Sequence, residues 1–352
     1  MAEMIFDTRS AKNGWNRSAR QRGNRVPMKK YIILMLAAVM LLIGSVQLMT
    51  DQKQENITIT RRFTFVCPLK WEDMAEGMKA ADREFGTNTK FVGFQSLDAQ
   101  GQANALQKAV YARVAGIITA GSNYSPLVTN AVNQAVKEGI PVVLVDSDLT
   151  GSERTCYIGT DNREAGRIAG EDLAEVSGQK AKIGIIVSRL DNQNQQERVE
   201  GFQEAIAAYP DMEIVEVLEC ESDRMRVQKL AEQMFKQYPQ IDAVYCAEDV
   251  APQMLGSVLK GMNSSPDDYR VVGHGLNEKI WGYIQEGRYY STMVEEDHDR
   301  GYQAVSYLWN YINGRNTDVD VINTGVISAK KDFDFETWSN EHGAEEVVWD
   351  LS

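Results

Sequence analysis

Ile140 to Val145 (IPVVLV) is a continuously apolar run rich in β-branched residues, and it ends on Asp146, Ser147 and Asp148. A strand of that composition exposes neither face to water, so it belongs in a parallel sheet with helices on both sides. Ligands of open parallel sheets bind beyond the carboxyl ends of the strands, where this one delivers three polar residues together. Asp146 is therefore a candidate ligand contact, with a simple turn cap as the other reading. Tyr157 to Gly159 then leads into Thr160, Asp161 and Asn162 and an alanine- and glycine-rich helix, for which Thr160 or Asp161 can serve as N-cap.

The stretch is one piece of a weak internal duplication. Phe63 to Cys67 and Ile183 to Val187 are short apolar strands, each followed by a loop and a helix with a shared core: AEGMKAA at Ala75 to Ala81, VEGFQEA at Val199 to Ala205. Amphipathic helices follow around Ala103 to Arg113 and around Arg226 to Lys236. GIITA at Gly116 then matches AVYCA at Ala243, with helices opening near Pro126 and Pro252, and IPVVLVD at Ile140 matches RVVGHGL at Arg270. Strands alternating with helices at this spacing predict βαβ units with right-handed crossovers, so the fold class is α/β, two doubly wound parallel-sheet lobes. Thr292 to Val294 and Val321 to Val326 read as additional strands, so the chain is expected to cross between lobes more than once, making a hinge. The boundaries that follow are 61–160 plus 296–322 for the first lobe, 161–295 plus 323–340 for the second, and a tail at 341–352.

Ahead of the lobes the charge changes sign. Residues 1–30 carry eight Lys/Arg and two acids, residues 31–50 carry no charge, and the remainder holds 29 basic and 48 acidic groups. That acidity argues against nucleic acid as a partner. Tyr31 to Met49 would span roughly 28 Å as a helix, close to bilayer thickness. With Lys29 and Lys30 on its cytoplasmic side, it predicts a single-pass signal anchor over 31–50, a basic cytoplasmic tail over 1–30, a linker over 51–60, and residues 51–352 outside the cell membrane. A cleaved signal peptide is the competing reading. The segment from Met28 reads as a complete signal start, with residues 1–27 as an upstream extension.

Reactive constellations are missing from the sequence: there is no HExxH, GxSxG, GxxxxGK[ST], or GxGxxG after a strand. Its three histidines are His274, His298 and His342. His298 lies among Glu295, Glu296, Asp297 and Asp299, a cluster expected to be a solvated acidic turn because adjacent residues point in different directions. DSDLTG from Asp146 begins like a calcium loop but has Tyr157 where the bidentate Glu would stand. No catalysis, cofactor or metal is expected. Cys67, Cys156, Cys220 and Cys246 show no CxxC spacing and are expected as buried free thiols.

GIPVVLVDSD followed by YIGTDNREAGRIAG and then QERVEGFQEAI resembles the type 1 periplasmic binding proteins, in particular the ribose-binding branch whose ligand domain is shared with lac-repressor-like regulators. The resemblance covers about residues 60 to 330, with the membrane segment in the place of a repressor headpiece. It implies extracytoplasmic capture of a small molecule, commonly a monosaccharide, by closure of the two lobes. It implies that Asp146 accepts hydrogen bonds from sugar hydroxyls, that Arg198 addresses two ligand oxygens, that Thr160 is a hydroxyl residue at the first crossing, and that Trp71 packs on the sugar's apolar face. Packing against the following helix is the other reading for Trp71. The pattern breaks at Glu248 (usually Asn), His274 (often aromatic), Gly275 (a second sugar-binding Asp) and Glu295 (Gln or Asn). Glu248, His274 and Glu295 are still expected at the ligand site. Acceptor-only carboxylates in place of amides suit a donor-rich ligand such as a polyol, an amino sugar or a cationic metabolite, unless Glu248 pairs with Arg198. The partners implied are an ABC permease or, alternatively, a membrane sensor kinase or chemoreceptor.

Overall fold

The computed structural model describes residues 61–351 apart from Lys70, Asn316 and 342–346, and four positions ahead of them, Met35 and 39–41. The chain divides into two units, residues 1–59 and 60–352, and among the described residues every strand lies in the second. The anchor expected over 31–50 lies outside the described residues except at those four positions, which are helical. Among the described residues no helix is long and apolar enough to cross a membrane.

Strand β1 (Arg62–Cys67) is followed by α1 (Glu72–Phe85), β2 (Asn88–Gly93), α2 (Ala99–Tyr111), β3 (Gly116–Ala120), α3 (Pro126–Lys137), β4 (Val142–Val145) and β5 (Cys156–Thr160). Ser125 caps α3, with Pro126 in the first turn where its missing N–H costs nothing. Asp161 caps α4 (Asn162–Ser177), accepting from the Glu164 N–H at 3.0 Å, and starts the second lobe. There β6 (Lys180–Val187), α5 (Gln193–Ile206), β7 (Asp211–Glu219), α6 (Arg224–Gln237), β8 (Ala243–Cys246), α7 (Val250–Gly261), β9 (Arg270–His274), α8 (Glu278–Gln285) and β10 (Ser291–Glu295) repeat the alternation. Helix α9 (Asp297–Ile312) returns to the first lobe and leads into β11 (Val321–Thr324). β12 (Val326–Ala329) and α10 (Phe335–Glu341) belong to the second lobe, and β13 (Trp349–Leu351) to the first.

The first sheet runs β11-β5-β4-β3-β1-β2-β13 and the second β12-β10-β9-β8-β6-β7. Every pairing is parallel except β10 with β12. Within β4, Val143 and Val145 pack into one apolar layer and Val142 and Leu144 into the other. Both faces of the strand are therefore covered, which is why its sequence lacks polar alternation.

The shared helix cores serve one packing device, used once in each lobe. A Cβ on Gly77 would lie 1.8 Å from the His298 carbonyl oxygen, and one on Gly301 would lie 1.9 Å from that of Met74. The second lobe repeats the contact with Gly201 against Arg163 and Gly166 against Arg198, at 1.9 and 2.0 Å. Only glycine permits backbones to approach this closely. In both lobes the helix entered from a crossing thus locks onto the lobe's first strand-following helix.

Two boundaries differ from the sequence reading. Val321 to Val326 is two strands, because the chain crosses at Gly325: Thr324 still pairs with Thr160 in the first sheet, while Val326 pairs with Glu295 in the second. Residues 341–352, expected as a tail, contribute β13, which extends the first sheet beside β2. Trp349 fixes it there, 6.1 Å from the Phe65 ring and 5.7 Å from that of Phe91, with its Nε1 donating to Glu72 at 2.9 Å.

Candidate functional site

The carboxyl ends of both sheets face a cavity between the lobes. Its volume is about 160 Å3. At a liquid volume of about 30 Å3 per water it has room for at least several waters, and so for a small polar molecule. Six of the seven residues expected at the site line it: Trp71, Asp146, Arg198, Glu248, His274 and Glu295.

Asp146 follows β4 with φ of 63°, a left-handed conformation that aspartate tolerates better than most residues. The kink turns its carboxylate into the cleft, where Asn194 of α5 donates to it from the opposite lobe at 3.1 Å. Burial and then the neighbouring Glu295 raise the Asp146 pKa to about 6, against the pull of Arg300 and Arg198. Asp148, two residues on, is engaged by Arg154 from Nε and Nη2 at 2.5 and 2.7 Å and holds the connector instead.

Arg198 is buried on α5. It donates from Nε to Asn162 at 2.8 Å, from Nη1 to the Ala247 carbonyl at 3.0 Å and from Nη2 to Glu295. Glu248 does not pair with it. Its carboxylate instead accepts from the N–H groups of Val250, at 3.1 Å, and Ala251, where the start of α7 favours negative charge. Burial nevertheless lifts Glu248 to about 7, with Asp249 adding to the effect. His274 is buried beside Arg198, and its pKa falls to about 4, so the ring is neutral at physiological pH. Its Nε2 lies 3.0 Å from the Tyr245 hydroxyl.

Glu295, at the second crossing, joins the lobes. One oxygen accepts from Arg198 of the second lobe and the other from Arg300 of the first, at 2.9 Å. Although burial opposes its charge, the two guanidiniums hold its carboxyl well below the usual range. Arg300 is 1% exposed and also pairs with Asp297 at 2.9 Å, with Asp146 3.8 Å away. It donates to Thr160 Oγ1 at 2.7 Å, so Thr160 sits behind this guanidinium and supports it without lining the cavity. Trp71 is both a lining residue and a core contact, its ring 6.4 Å from that of Phe65.

The acidic turn expected around His298 is a correction. Asp297 opens α9, and with Glu295 it faces the cleft, because this segment is the second crossing. Arg300, Asp297, Asp249, Asn194 and Trp338 of α10 line the cavity without having been singled out from the sequence. Arg300 had a signal: in the matched crossing helices DNREAG and EDHDRG it takes the place of the buried Ala165. Lobe-to-lobe contacts flank the cavity, with Thr150 donating to Gln193 at 2.6 Å and the Arg189 guanidinium 4.8 Å from the Tyr124 ring centre. The four cysteines are buried free thiols, and among the described residues no group of side chains is arranged to hold a metal ion.

Two parallel-sheet lobes joined by several crossings, with a polar cavity at the strand ends, define a hinged ligand-binding protein. The family model of the periplasmic binding protein domain matches residues 69–316, and the chain belongs to that family, in its type 1, sugar-binding form. It is a binding protein and not an enzyme. The ribose import binding protein RbsB of Escherichia coli is 26% identical over 287 residues, covering 82% of this chain and 94% of that one. GanP, a glucose-galactose binding protein from Geobacillus stearothermophilus, superposes with a TM-score of 0.73 at 28% identity, covering 77% of this chain and 98% of that one. A chain of the XylFII–LytSN complex superposes with a TM-score of 0.71 at 25% identity, covering 77% and 98%.

Proposed function

We propose that this chain is an extracytoplasmic solute-binding protein that closes its lobes on a small sugar-like molecule and delivers it to an ABC importer, held at the membrane through residues 31–50. The observation that carries this reading is the cavity itself: set between the lobes at the strand ends, with Asp146 of one lobe and Arg198 of the other both lining it. Relatives named for ribose import and for glucose and galactose binding support the ligand class. The charge-free run 31–50 behind two lysines supports the anchor.

Sensing is the second reading, in which the closed lobes contact the outer domain of a membrane kinase or chemoreceptor. A permanent anchor suits a permanent membrane partner, and a structural relative has been solved in complex with LytSN. A thermal-shift screen of pentoses, hexoses, polyols and amino sugars tests the shared core of both readings, because a ligand that binds only the folded state raises the melting temperature. A chain that none of these stabilises would contradict it. Co-purification from membranes with a permease, or with a kinase, separates the two partners.

A further inference from the structure

Six carboxylates, those of Asp73, Asp146, Glu248, Asp249, Glu295 and Asp297, line the cavity against two guanidiniums, Arg198 and Arg300. His274 adds no positive charge, being neutral. Glu295 engages both guanidiniums, and Asp297 and Asp146 share the remaining reach of Arg300. Glu248 and Asp249, consecutive residues between β8 and α7, form no ion pair among the described residues. The glycine at 275 makes room for one of them: with φ of 74°, a Cβ there would stand 2.8 Å from the Asp249 Cβ. Asp249 therefore stands beside the second lobe's elbow, which itself carries no side chain.

Asp249 and Glu248 in ionised form can only accept hydrogen bonds, so they call for a donor-only cation. Hydroxyls on the same small molecule suit the neutral polar groups of the lining, among them Ser122, Asn194 and Gln195.

We infer that the ligand is a monosaccharide-sized polyhydroxy amine, an amino sugar, whose ammonium sits against Asp249 and Glu248; this deepens the sugar-capture function proposed above and rests on it. Burial and mutual repulsion already raise Asp146, Glu248, Asp249 and Asp297. A bound cation relieves that repulsion and pulls these groups toward their ionised forms.

The test is calorimetry on the full-length chain with D-glucosamine, D-galactosamine and D-mannosamine, each set against its neutral parent sugar and its N-acetyl derivative. At pH 7.5 at least one amine binds about tenfold more tightly than both counterparts, the scale of one charge-assisted hydrogen bond. Asp249→Asn and Glu248→Gln each narrow that ratio. Acidification to pH 5.5 weakens the amine more than the neutral sugar, as the raised carboxyls take up protons. A neutral sugar that binds as tightly as its amine overturns the inference while leaving sugar capture standing. Absence of binding by every amine also overturns the inference, and sugar capture falls with it only if the wider screen of pentoses, hexoses and polyols is negative too.

Discussion

The two lobes make the same backbone turn at the end of a central strand and use it differently. Asp146 after β4 and Gly275 after β9 are both left-handed, with φ of 63° and 74°. In the first lobe the kink carries a carboxylate aimed at the opposite lobe and tied into the Arg300 network. In the second it carries no side chain, and Asp249 occupies the space from the side. The geometry of the elbow repeats while the carboxylate of the second lobe stands on a neighbouring residue, so a side chain in one lobe does not predict its counterpart in the other although the fold repeats.

The most severe way to break this asymmetry is to remove what neutralises the first elbow. Arg300→Met leaves the partly buried carboxylates of Glu295, Asp297 and Asp146 without their shared cation, and it should cost roughly 2–4 kcal/mol in urea or thermal unfolding. A loss below about 1 kcal/mol would mean that the network does not hold the crossing. Gly275→Asp restores a carboxylate to the second elbow, but it forces a side chain into a left-handed position and onto Asp249. It should destabilise by roughly 1–3 kcal/mol and weaken binding of any ligand found in the screen. Improved affinity would show that Asp249 does not stand in for the missing group.

Asp146→Gly separates backbone from carboxylate in the first elbow. Glycine removes the left-handed cost, on the order of 1 kcal/mol, so the variant should unfold at or slightly above the parent's temperature while ligand affinity falls more than tenfold.

The smallest effect is on pH dependence. Asp146, Glu248 and Asp297 have folded pKa values of about 6, 7 and 7, above their unfolded values, so the native state binds more protons than the unfolded chain between about pH 4.5 and 7. Ligand-free stability should therefore rise as pH falls from 8 to about 5.5. His274, whose folded pKa of about 4 lies below its unfolded value, opposes this over part of the range, one group against three. A melting temperature that falls steadily across that window would contradict the crowding of negative charge in the cleft.

Much of the fold was legible because parallel strands buried on both faces leave continuous apolar runs such as Ile140 to Val145, and because Gly77 and Gly201 recur at the same place in matched helices. Strand β13 was not, since three residues added to a sheet edge by Trp349 packing produce no periodic pattern. At the site, Asp146 and Arg198 stood in recognisable motifs, and the structure brings both into the cavity. Arg300 and Asp249 did not: Arg300 reaches Thr160 and Asp146 on strand ends far away in the chain, and Asp249 meets Gly275 only across the neighbouring strands β8 and β9. Thr160 does sit at the first crossing, and its hydroxyl supports Arg300 from behind, a relation that one-dimensional spacing cannot express.

The central claim is that ligand is held between the lobes by Asp146 from one and Arg198 from the other. Titration calorimetry of the best stabilising compound against the parent, Asp146→Ala and Arg198→Ala tests it most directly. At least a tenfold loss of affinity in each variant, with cooperative unfolding retained, is the predicted result. Parent-like affinity in both variants would contradict it and place the ligand elsewhere.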